Sequence, residues 1–393
     1  MAPENAPSQM ETSVEPPSMM SEDERYRTST QYRLWSYTPE SLLALRTATN
    51  QIAADRVREA VRRIREGRNI SSADTSEAEN ARSASAAIPD GEVDCLTVDE
   101  ELKLVAFYCR QTIQLGDHLH VPTDVKATAI QYIKRFYITN SLMTYHPTDI
   151  LKTALFFATK TENHYFRLTK FADAIGKTKP EDVLASEFLL TQGLRFTFDV
   201  RHPFRALEGA VLELQALSKG KIPALPGGGI VGERPRDMDR RVKDAHGKAR
   251  DYLKTSTALT DVYFHYTPSQ IMMAALMIAD KELVEWYIGC KIPASGGAMR
   301  GKVLGILEKC AEMLRTVAPN SEPSAAEKKE LSALSKKLKK CRNPEKMDLV
   351  ALQKAKREGD GDDDEKVVKK RKLERESSAK GADDLFGPVI KKE

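Results

Sequence analysis

The chain has 393 residues, of which 41% are hydrophobic and 30% are charged, so we expect a packed core together with solvated, charge-rich segments. Its 61 basic residues are nearly balanced by 57 acidic ones, and this net charge of only +4 argues against a general nucleic-acid binder. The longest apolar run, Ile271–Ala279, is shorter than the roughly 20 residues that span a bilayer, and residues 1–24 hold no apolar signal core, so we expect an intracellular protein without membrane contact.

The first part of the chain alternates polar segments with one long helical stretch. Residues 1–30 are rich in Pro, Ser, Glu and Met, which predicts a disordered tail. Residues 31–70 are predicted to hold an N-terminal helix, in which Thr38 is the N-cap and Pro39 occupies the first helical position. The polar residues 71–95 are typical of a flexible linker.

Helical periodicity dominates the rest of the chain, and strand signals are nearly absent. Residues 96–200 predict one compact helical domain, and residues 201–318 predict a second. A Gly/Pro-rich stretch at about 218–236 predicts a flexible insertion in the second domain. A C-terminal helix at 324–342 is followed by a charged tail at 343–393, whose composition favours disorder.

An internal repeat connects the two helical domains. The sixteen residues Tyr145–Lys160 align with Tyr266–Lys281 at an offset of 121, and seven of the aligned positions are identical. Each copy has a proline in its first helical turn and an apolar helix expected to end in lysine. The first copy is so apolar that its helix must be central. Two copies of one domain explain the repeat, although two buried helices can also match through shared composition.

Motifs for metal, cofactor or catalytic chemistry are missing or lack their structural context. The five cysteines form no Cys-x-x-Cys pair, so neither a disulfide framework nor a zinc site is expected. His118 and His120 have no third ligand nearby. Gly227, Gly229 and Gly232 fit a Gly-x-Gly-x-x-Gly pattern, but prolines and no strand precede them. We therefore predict no metal and no cofactor.

Several stretches resemble the cyclins, and within them the cyclin H subfamily. They are Lys134–Tyr137, Asn140-Ser141, Tyr145–Pro147, Thr153–Asn163, Leu259–Asp261 and Tyr266–Gln270, with Tyr32–Thr38 upstream of them. The resemblance covers about residues 31–340. It implies an all-α fold of two tandem five-helix cyclin boxes, flanked by long N- and C-terminal helices. It also implies a chain that activates a cyclin-dependent kinase without being an enzyme itself.

Two site residues follow from this resemblance. In cyclins, a lysine ends the third helix of the first box and a glutamate lies in the fifth, and both bind the kinase; the matching residues here are Lys160 and Glu187. The local pattern agrees, because a helix dipole favours a cation such as Lys160 at the C-terminus. Glu187 is a lone charge before the apolar run Phe188–Leu190. The alternative is that both are solvated helix-end charges, or that they pair with one another.

The resemblance also implies partners and a pathway. Cyclin H-like proteins activate the CDK-activating kinase of transcription factor IIH, which phosphorylates the carboxy-terminal repeats of RNA polymerase II and the activation loops of other kinases. Expected partners are that kinase, a RING-finger assembly subunit and the transcription factor IIH core, with no direct nucleic-acid contact. Another transcription cyclin, of the C, K or T type, is the first alternative. A transcription-factor-IIB-like DNA-binding core is the second, favoured by the basic side of residues 237–257 but disfavoured by the missing Cys-x-x-Cys pairs.

The charged tail predicts a nuclear location. Its basic cluster is suited to nuclear import and consists of Lys369, Lys370, Arg371 and Lys372. The alternative is a solvated charge run that balances the acidic residues 362–365. We further expect the two terminal helices to lie together on one side of the protein, because neither carries a second apolar face.

Overall fold

The computed structural model of the protein describes residues 22–71, 93–176, 178–221, 235–292, 294–319 and 321–342. Within these ranges every regular element is a helix, which confirms the all-α prediction. Three helices precede the first domain: α1 (Glu22–Thr28), α2 (Thr30–Trp35) and α3 (Pro39–Ser71). The first domain contains α4 (Val98–His118), α5 (Thr123–Thr139), α6 (Pro147–Thr161), α7 (Leu168–Ile175), α8 (Pro180–Leu184) and α9 (Glu187–Gly193). The second domain contains α10 (Phe204–Ser218), α11 (Met238–Leu259), α12 (Val262–His265), α13 (Pro268–Ala279), α14 (Lys281–Lys291), a 3-10 turn (Ala294–Gly296) and α15 (Gly297–Arg315), and α16 (Ala325–Lys340) follows it.

Helices α5 and α6 form the centre of the first domain. Both are buried along most of their length, and α4, α8 and α9 pack around α6. A capping box starts α4, in which the side chains of Thr97 and Glu100 each accept a hydrogen bond from the other's backbone N–H. A Cβ added to Gly193 would lie 2.5 Å from a ring carbon of Phe136. Since only a glycine fits there, α9 can pack directly on α5.

The last helical stretch of the first domain is broken into two short helices, α8 and α9. The chain turns at Ala185 and Ser186, so Glu187 becomes the first residue of α9. Ser186 is fully buried, and its hydroxyl has no hydrogen-bond partner within the described part of the chain. The break moves Glu187 to a helix N-terminus, where the helix dipole favours a carboxylate.

Helix α13 is the centre of the second domain and is the repeat counterpart of α6. It packs against α11 and α15, while α10 and α14 cover its other sides. A capping box between Thr267 and Gln270 starts it, with proline at the first helical position. The expectation that this helix ends in lysine is wrong. It ends at Ala279, because Asp280 accepts a hydrogen bond from the N–H of Leu283 and caps the next helix.

The prediction of a disordered amino-terminal tail differs from the structure in its last residues. The predicted disordered tail over 1–30 includes α1 and the start of α2, which are ordered because Tyr26 is buried and Ser29 caps α2.

The long helix α3 begins at Pro39, the first helical position predicted, and the Thr38 hydroxyl accepts a hydrogen bond from the N–H of Ser41 at 3.2 Å as an N-cap does. Residues Thr30–Trp35 form the separate helix α2 before it. Between α2 and α3, the N–H of Tyr37 donates to the carbonyl of Phe264 in the second domain at 2.8 Å.

The two terminal helices, α3 and α16, both pack on the first domain. α3 buries Val57 and its neighbours against α5 and α4, and α16 buries Leu338 against α4. Residues 93–97 contact both helices: Asn50 donates a hydrogen bond to the backbone of this segment at 2.9 Å, and Lys337 forms an ion pair with its aspartate at 2.9 Å. Both terminal helices therefore lie against the first domain, and both contact the segment 93–97.

Some predictions concern residues outside the described ranges. These are most of the amino-terminal tail (1–21), most of the linker (72–92), most of the insertion (222–234) and the charged tail with its basic cluster (343–393). At the edges of these segments, Ser71 belongs to α3 and Ser218 to α10, so the predicted linker and insertion each begin too early.

Candidate functional site

Lys160 and Glu187 lie side by side on the surface of the first domain. The Nζ of Lys160 is 2.7 Å from Oε1 and 2.9 Å from Oε2 of Glu187. Their side chains are 43% and 25% exposed. The two residues singled out by the sequence are thus brought together, and in the isolated chain they pair with one another.

Helix ends hold both charges in place. Lys160 is in the last turn of α6 and Glu187 is the first residue of α9, so each charge lies at the helix end whose dipole stabilises it. The Nζ of Lys160 also lies 4.9 Å from the ring centroid of Phe156, within the range of a cation–π interaction. An exposed ion pair contributes only about 0–1 kcal/mol to folding. Both side chains can therefore exchange this contact for contacts with a partner at little cost.

Large aromatic side chains follow both charges along the chain. Phe188 comes directly after Glu187 and is 46% exposed, whereas Phe196 beyond α9 is 63% exposed and Tyr165 beyond α6 is 86% exposed. Exposed aromatic groups next to charges are typical of protein-binding surfaces. Tyr165 and Phe196 could not be predicted from the sequence, because neither lies in a helix whose periodicity would assign it to an outer face.

The chain leaves α9 through a turn with two successive left-handed residues. Arg195 and Phe196 have φ angles of 52° and 54°, a conformation that costs a non-glycine residue about 1–2 kcal/mol. The N–H of Phe196 bonds to the carbonyl of Thr191 at 3.0 Å, and the N–H of Arg195 to that of Gln192 at 2.9 Å. This is the hydrogen-bond pattern of a Schellman helix end, where glycine is the usual residue.

Residues 22–38, which we call the N-terminal arm, brace this turn through Trp35. The guanidinium groups of Arg195 and Arg135 lie 5.3 Å and 5.1 Å from the Trp35 ring, and its Nε1 donates to the hydroxyl of Thr197 at 2.9 Å. Arg135 is almost fully buried, and burial lowers its pKa to about 10. The stacked cations and the hydrogen bond fix the turn against the arm.

A buried charge network joins α3 to both domains. Asp261 accepts two hydrogen bonds from Arg46, at 2.7 and 3.0 Å, and its Oδ1 is 3.6 Å from Nζ of Lys134. Lys134 also donates to the carbonyls of Ala258 and Thr260. Burial alone would raise the pKa of Asp261, but the positive charges of Lys134 and Arg46 outweigh it and hold that pKa well below its ordinary value. Two of the cyclin-like stretches therefore meet in this network.

A chain of hydrogen bonds crosses the same interface. His202 lies 2.8 Å from the hydroxyl of Tyr263 through Nδ1 and 2.7 Å from that of Thr128 through Nε2, and Thr128 donates to Glu162 at 2.6 Å. Since the Thr128 proton goes to Glu162, we assign the ring proton to Nε2. Burial lowers the pKa of His202 to about 3, so the ring is neutral at physiological pH. These bonds fix the two domains relative to each other.

A cavity of about 250 Å³ lies beside the charge network, between the domains. Its charged lining residues, Arg46, Lys134 and Asp261, already pair with one another and leave no charge to orient a ligand. Among the described residues, no group of three or more His, Cys, Asp or Glu side chains is placed to hold a metal ion. No helix in the same ranges is long and apolar enough to cross a membrane.

The basic side of α11 is partly neutralised by acidic neighbours. Arg241 forms ion pairs with Asp280 at 2.6 Å and Glu282 at 2.8 Å, and Arg240 lies 3.7 Å from Asp244. A DNA-binding face needs clustered cations that are open to phosphate groups. The geometry of α11 thus disfavours the alternative of a DNA-binding core.

Comparisons with known proteins agree with this architecture. The family described as cyclin, N-terminal domain, matches residues 101–199, and the cyclin C-terminal domain matches residues 202–315. Cyclin mcs2 of Schizosaccharomyces pombe is 32% identical over 268 residues, which are 68% of this chain and 73% of that protein. The chain belongs to the cyclin family.

Further similarities narrow the assignment within the family. Cyclin CCL1 of Saccharomyces cerevisiae is 34% identical over 279 residues, 71% of this chain, and the match spans 64% of that relative's length. A chain in the structure of the CAK complex of Chaetomium thermophilum bound to ATP-γ-S is 39% identical with a TM-score of 0.69, covering 86% of this chain and 96% of that one. Together these matches show the cyclin H type, which confirms the resemblance read from the sequence.

Proposed function

We propose that this cyclin binds a cyclin-dependent kinase and activates it allosterically, as the non-catalytic subunit of the CDK-activating kinase of transcription factor IIH. The observation that carries the proposal is the exposed pair of Lys160 and Glu187, held at two adjoining helix ends next to Phe188. These positions match the residues with which cyclins hold their kinases. The similarity to a chain of a CAK complex bound to ATP-γ-S supports the same class of partner.

The mechanism is a shift of the kinase's conformational population. A kinase must pair its β3 lysine with a glutamate of its αC helix before it can position ATP. A cyclin that binds this αC-in arrangement more tightly than the αC-out arrangement increases the active fraction. On binding, Lys160 and Glu187 exchange their mutual contact for polar groups around αC, and the neighbouring aromatic side chains exclude water from them.

The expected interface is large and its charges become buried. A stable complex of this kind buries about 1,600 Å² or more. Once water is excluded, removing one member of a buried charge pair costs about 2–5 kcal/mol of binding free energy, because its partner is left unsatisfied. The same pair that contributes little to folding thus becomes important in the complex.

Further parts of the proposal concern substrates, assembly and location. The activated kinase phosphorylates the carboxy-terminal repeats of RNA polymerase II and the activation loops of other kinases. A RING-finger assembly subunit and the transcription factor IIH core are the additional partners, and α3 and α16 offer the assembly subunit a surface on the first domain. The cluster Lys369–Lys372 directs the protein to the nucleus, which fluorescence microscopy of a tagged chain with these residues changed to alanine would test.

Kinase activation in a two-component mixture tests the proposal. The full chain is mixed with the cognate kinase of its own transcription factor IIH, and phosphorylation of a polymerase repeat peptide is measured. We expect activity in the mixture well above that of the kinase alone. If the chain neither binds nor activates that kinase, the proposed role is wrong, and kinases of other transcription cyclins become the next partners to test.

A further inference from the structure

We propose that the cavity between the two domains is a binding site for a small neutral aromatic molecule with one hydrogen-bond donor, of the phenol class. The cavity has a volume of about 250 Å³, and an apolar protein cavity of about 150 Å³ already accommodates a benzene molecule. A single substituted ring therefore fits. The site is separate from the candidate kinase surface, because neither Lys160 nor Glu187 lines the cavity.

The cavity is recessed between helices. Its described lining residues belong to α3, α4, α5, α11, α12 and α15 and to the turns after α11 and α15. Among these residues only Thr316 is exposed, and the others are buried or half-buried. Docking surfaces for proteins have a solvent-accessible rim, whereas sites for small molecules are concave and enclose most of the ligand. The shape thus favours a free small molecule over a segment of another protein.

Most of the cavity wall is apolar. It includes Leu102, Val105 and Cys109 of α4, Leu259 of α11 and Met313 of α15. A ring that enters the cavity removes its own apolar surface and that of the wall from water, which favours binding. The thioether of Met313 further favours an aromatic ring over an aliphatic one, because sulfur makes favourable contacts with aromatic groups.

The neutral polar side chains of the lining are left with hydrogen-bond acceptors. The hydroxyls of Thr260 and Thr316 each donate to a main-chain carbonyl three or four residues earlier, at 2.7 Å. Nδ1 of His265 lies 2.8 Å from the carbonyl of Tyr37, so we place the ring proton on Nδ1, which leaves Nε2 as an acceptor. A ligand with an O–H donor complements these atoms, and a ligand that can only accept does not.

The charged residues of the lining disfavour charged ligands. Arg46 and Asp261 form a two-point ion pair at 2.7 and 3.0 Å, and Lys134 binds the same carboxylate and two main-chain carbonyls. An ionised ligand would lose its hydration without meeting a free counter-charge, which is costly. A neutral hydroxyl needs only one hydrogen bond to be satisfied, so a neutral donor is the class of ligand that the cavity fits.

The experiment measures ligand binding to the full chain by ligand-observed NMR titration. Phenol should bind saturably with a dissociation constant in the millimolar range, as expected for a ligand of few atoms. Anisole, in which a methoxy group replaces the hydroxyl, has no donor and should bind about fivefold more weakly. Benzoate and benzylamine, which carry a negative and a positive charge, should bind more weakly than phenol.

Variants of one lining alanine test the location. Ala106→Leu places a larger side chain in the cavity and should abolish binding of phenol, and Ala106→Val fills less of it and should weaken binding severalfold. Ala44→Leu is the matched control, because Ala44 is an exposed residue of α3 outside the cavity, and it should bind phenol as wild type does. Thermal melting of each variant checks that it is folded. The valine variant keeps the test available if the leucine variant does not fold.

Each part of the proposal has an outcome that rejects it. If wild type shows no saturable binding of phenol, the site is rejected. If phenol and anisole bind equally, the donor plays no part, and tighter binding of benzoate or benzylamine would reject a neutral ligand. If folded Ala106 variants bind phenol as the Ala44 variant does, the ligand lies elsewhere and the cavity is rejected.

Discussion

Arg46 of α3 and Asp261 of the second domain form a two-point ion pair, with Nη1 2.7 Å from Oδ2 and Nη2 3.0 Å from Oδ1. The same carboxylate lies 3.6 Å from the buried ammonium of Lys134 on α5. One aspartate thus connects the long N-terminal helix with both domains. It stabilises the frame on which the surface of the first domain is displayed.

Asp261→Ala should therefore destabilise the chain strongly. The substitution leaves Lys134, which is 5% exposed, with an uncompensated buried charge, and we expect the free energy of unfolding to fall by about 3–5 kcal/mol. Urea unfolding of the purified chain measures this change. Asp244→Ala is the control, because its partner Arg240 is 85% exposed and the pair should contribute at most about 0.5 kcal/mol. Equal losses for the two variants would contradict the account.

Acid should weaken the fold through His202. Burial lowers its pKa to about 3 from an ordinary 6.5, so between pH 6.5 and 3 the unfolded chain binds a proton that the folded chain does not. The chain therefore keeps its full free energy of unfolding above pH 6.5. Below that pH, the free energy of unfolding falls by up to about 1.4 kcal/mol per pH unit.

His202→Gln should remove this part of the pH dependence. We expect a flatter plot of unfolding free energy between pH 7.5 and 4.5, measured by urea unfolding at a series of pH values. The exposed His118→Gln serves as control and should keep the wild-type slope. A wild-type slope in the His202 variant would show that the buried ring is not its source.

Gly193→Ala should disturb the packing of α9 on α5. Its new Cβ would lie 2.5 Å from a ring carbon of the fully buried Phe136, and such overpacking costs about 1–3 kcal/mol. In contrast, a Cβ at Gly209 of α10 meets nothing within 4 Å, so Gly209→Ala should be neutral or stabilise the helix by up to about 1 kcal/mol. Melting temperatures of the two variants should therefore move apart, and parallel shifts would argue against close packing at Gly193.

Much of the fold could be predicted because its signals are local. Pro147 and Pro268 mark the starts of the two central helices, and the apolar periodicity after each proline identifies the buried face. That residues 22–28 form the ordered helix α1 could not be predicted, since this depends on the burial of Tyr26 by distant parts of the chain. The break before Glu187 and the fit of Gly193 against Phe136 likewise depend on tertiary packing, which no local pattern encodes.

The candidate site divides in the same way. Lys160 and Glu187 were identified because they match kinase-binding positions of cyclins, and because a helix dipole favours a cation such as Lys160 at a helix C-terminus. Their pairing could not be predicted in this way, because it requires the ends of two helices to meet in the fold. No sequence pattern predicts the turn at Phe196, because its conformation depends on contacts with Trp35. That residue lies 162 positions before Thr197, its hydrogen-bond partner.

The most direct test of the central claim is a charge swap at the pair. Lys160→Glu combined with Glu187→Lys retains an ion pair within the chain but reverses both charges that a kinase would meet. We expect the swapped chain to melt close to wild type, because an exposed pair contributes about 0–1 kcal/mol and the reversed helix-end charges cost a similar amount. We also expect that the swapped chain does not activate the cognate kinase, measured as phosphorylation of a polymerase repeat peptide, under conditions in which the wild-type chain does. If the swapped chain activates the kinase as well as wild type does, Lys160 and Glu187 serve only each other and the account is wrong.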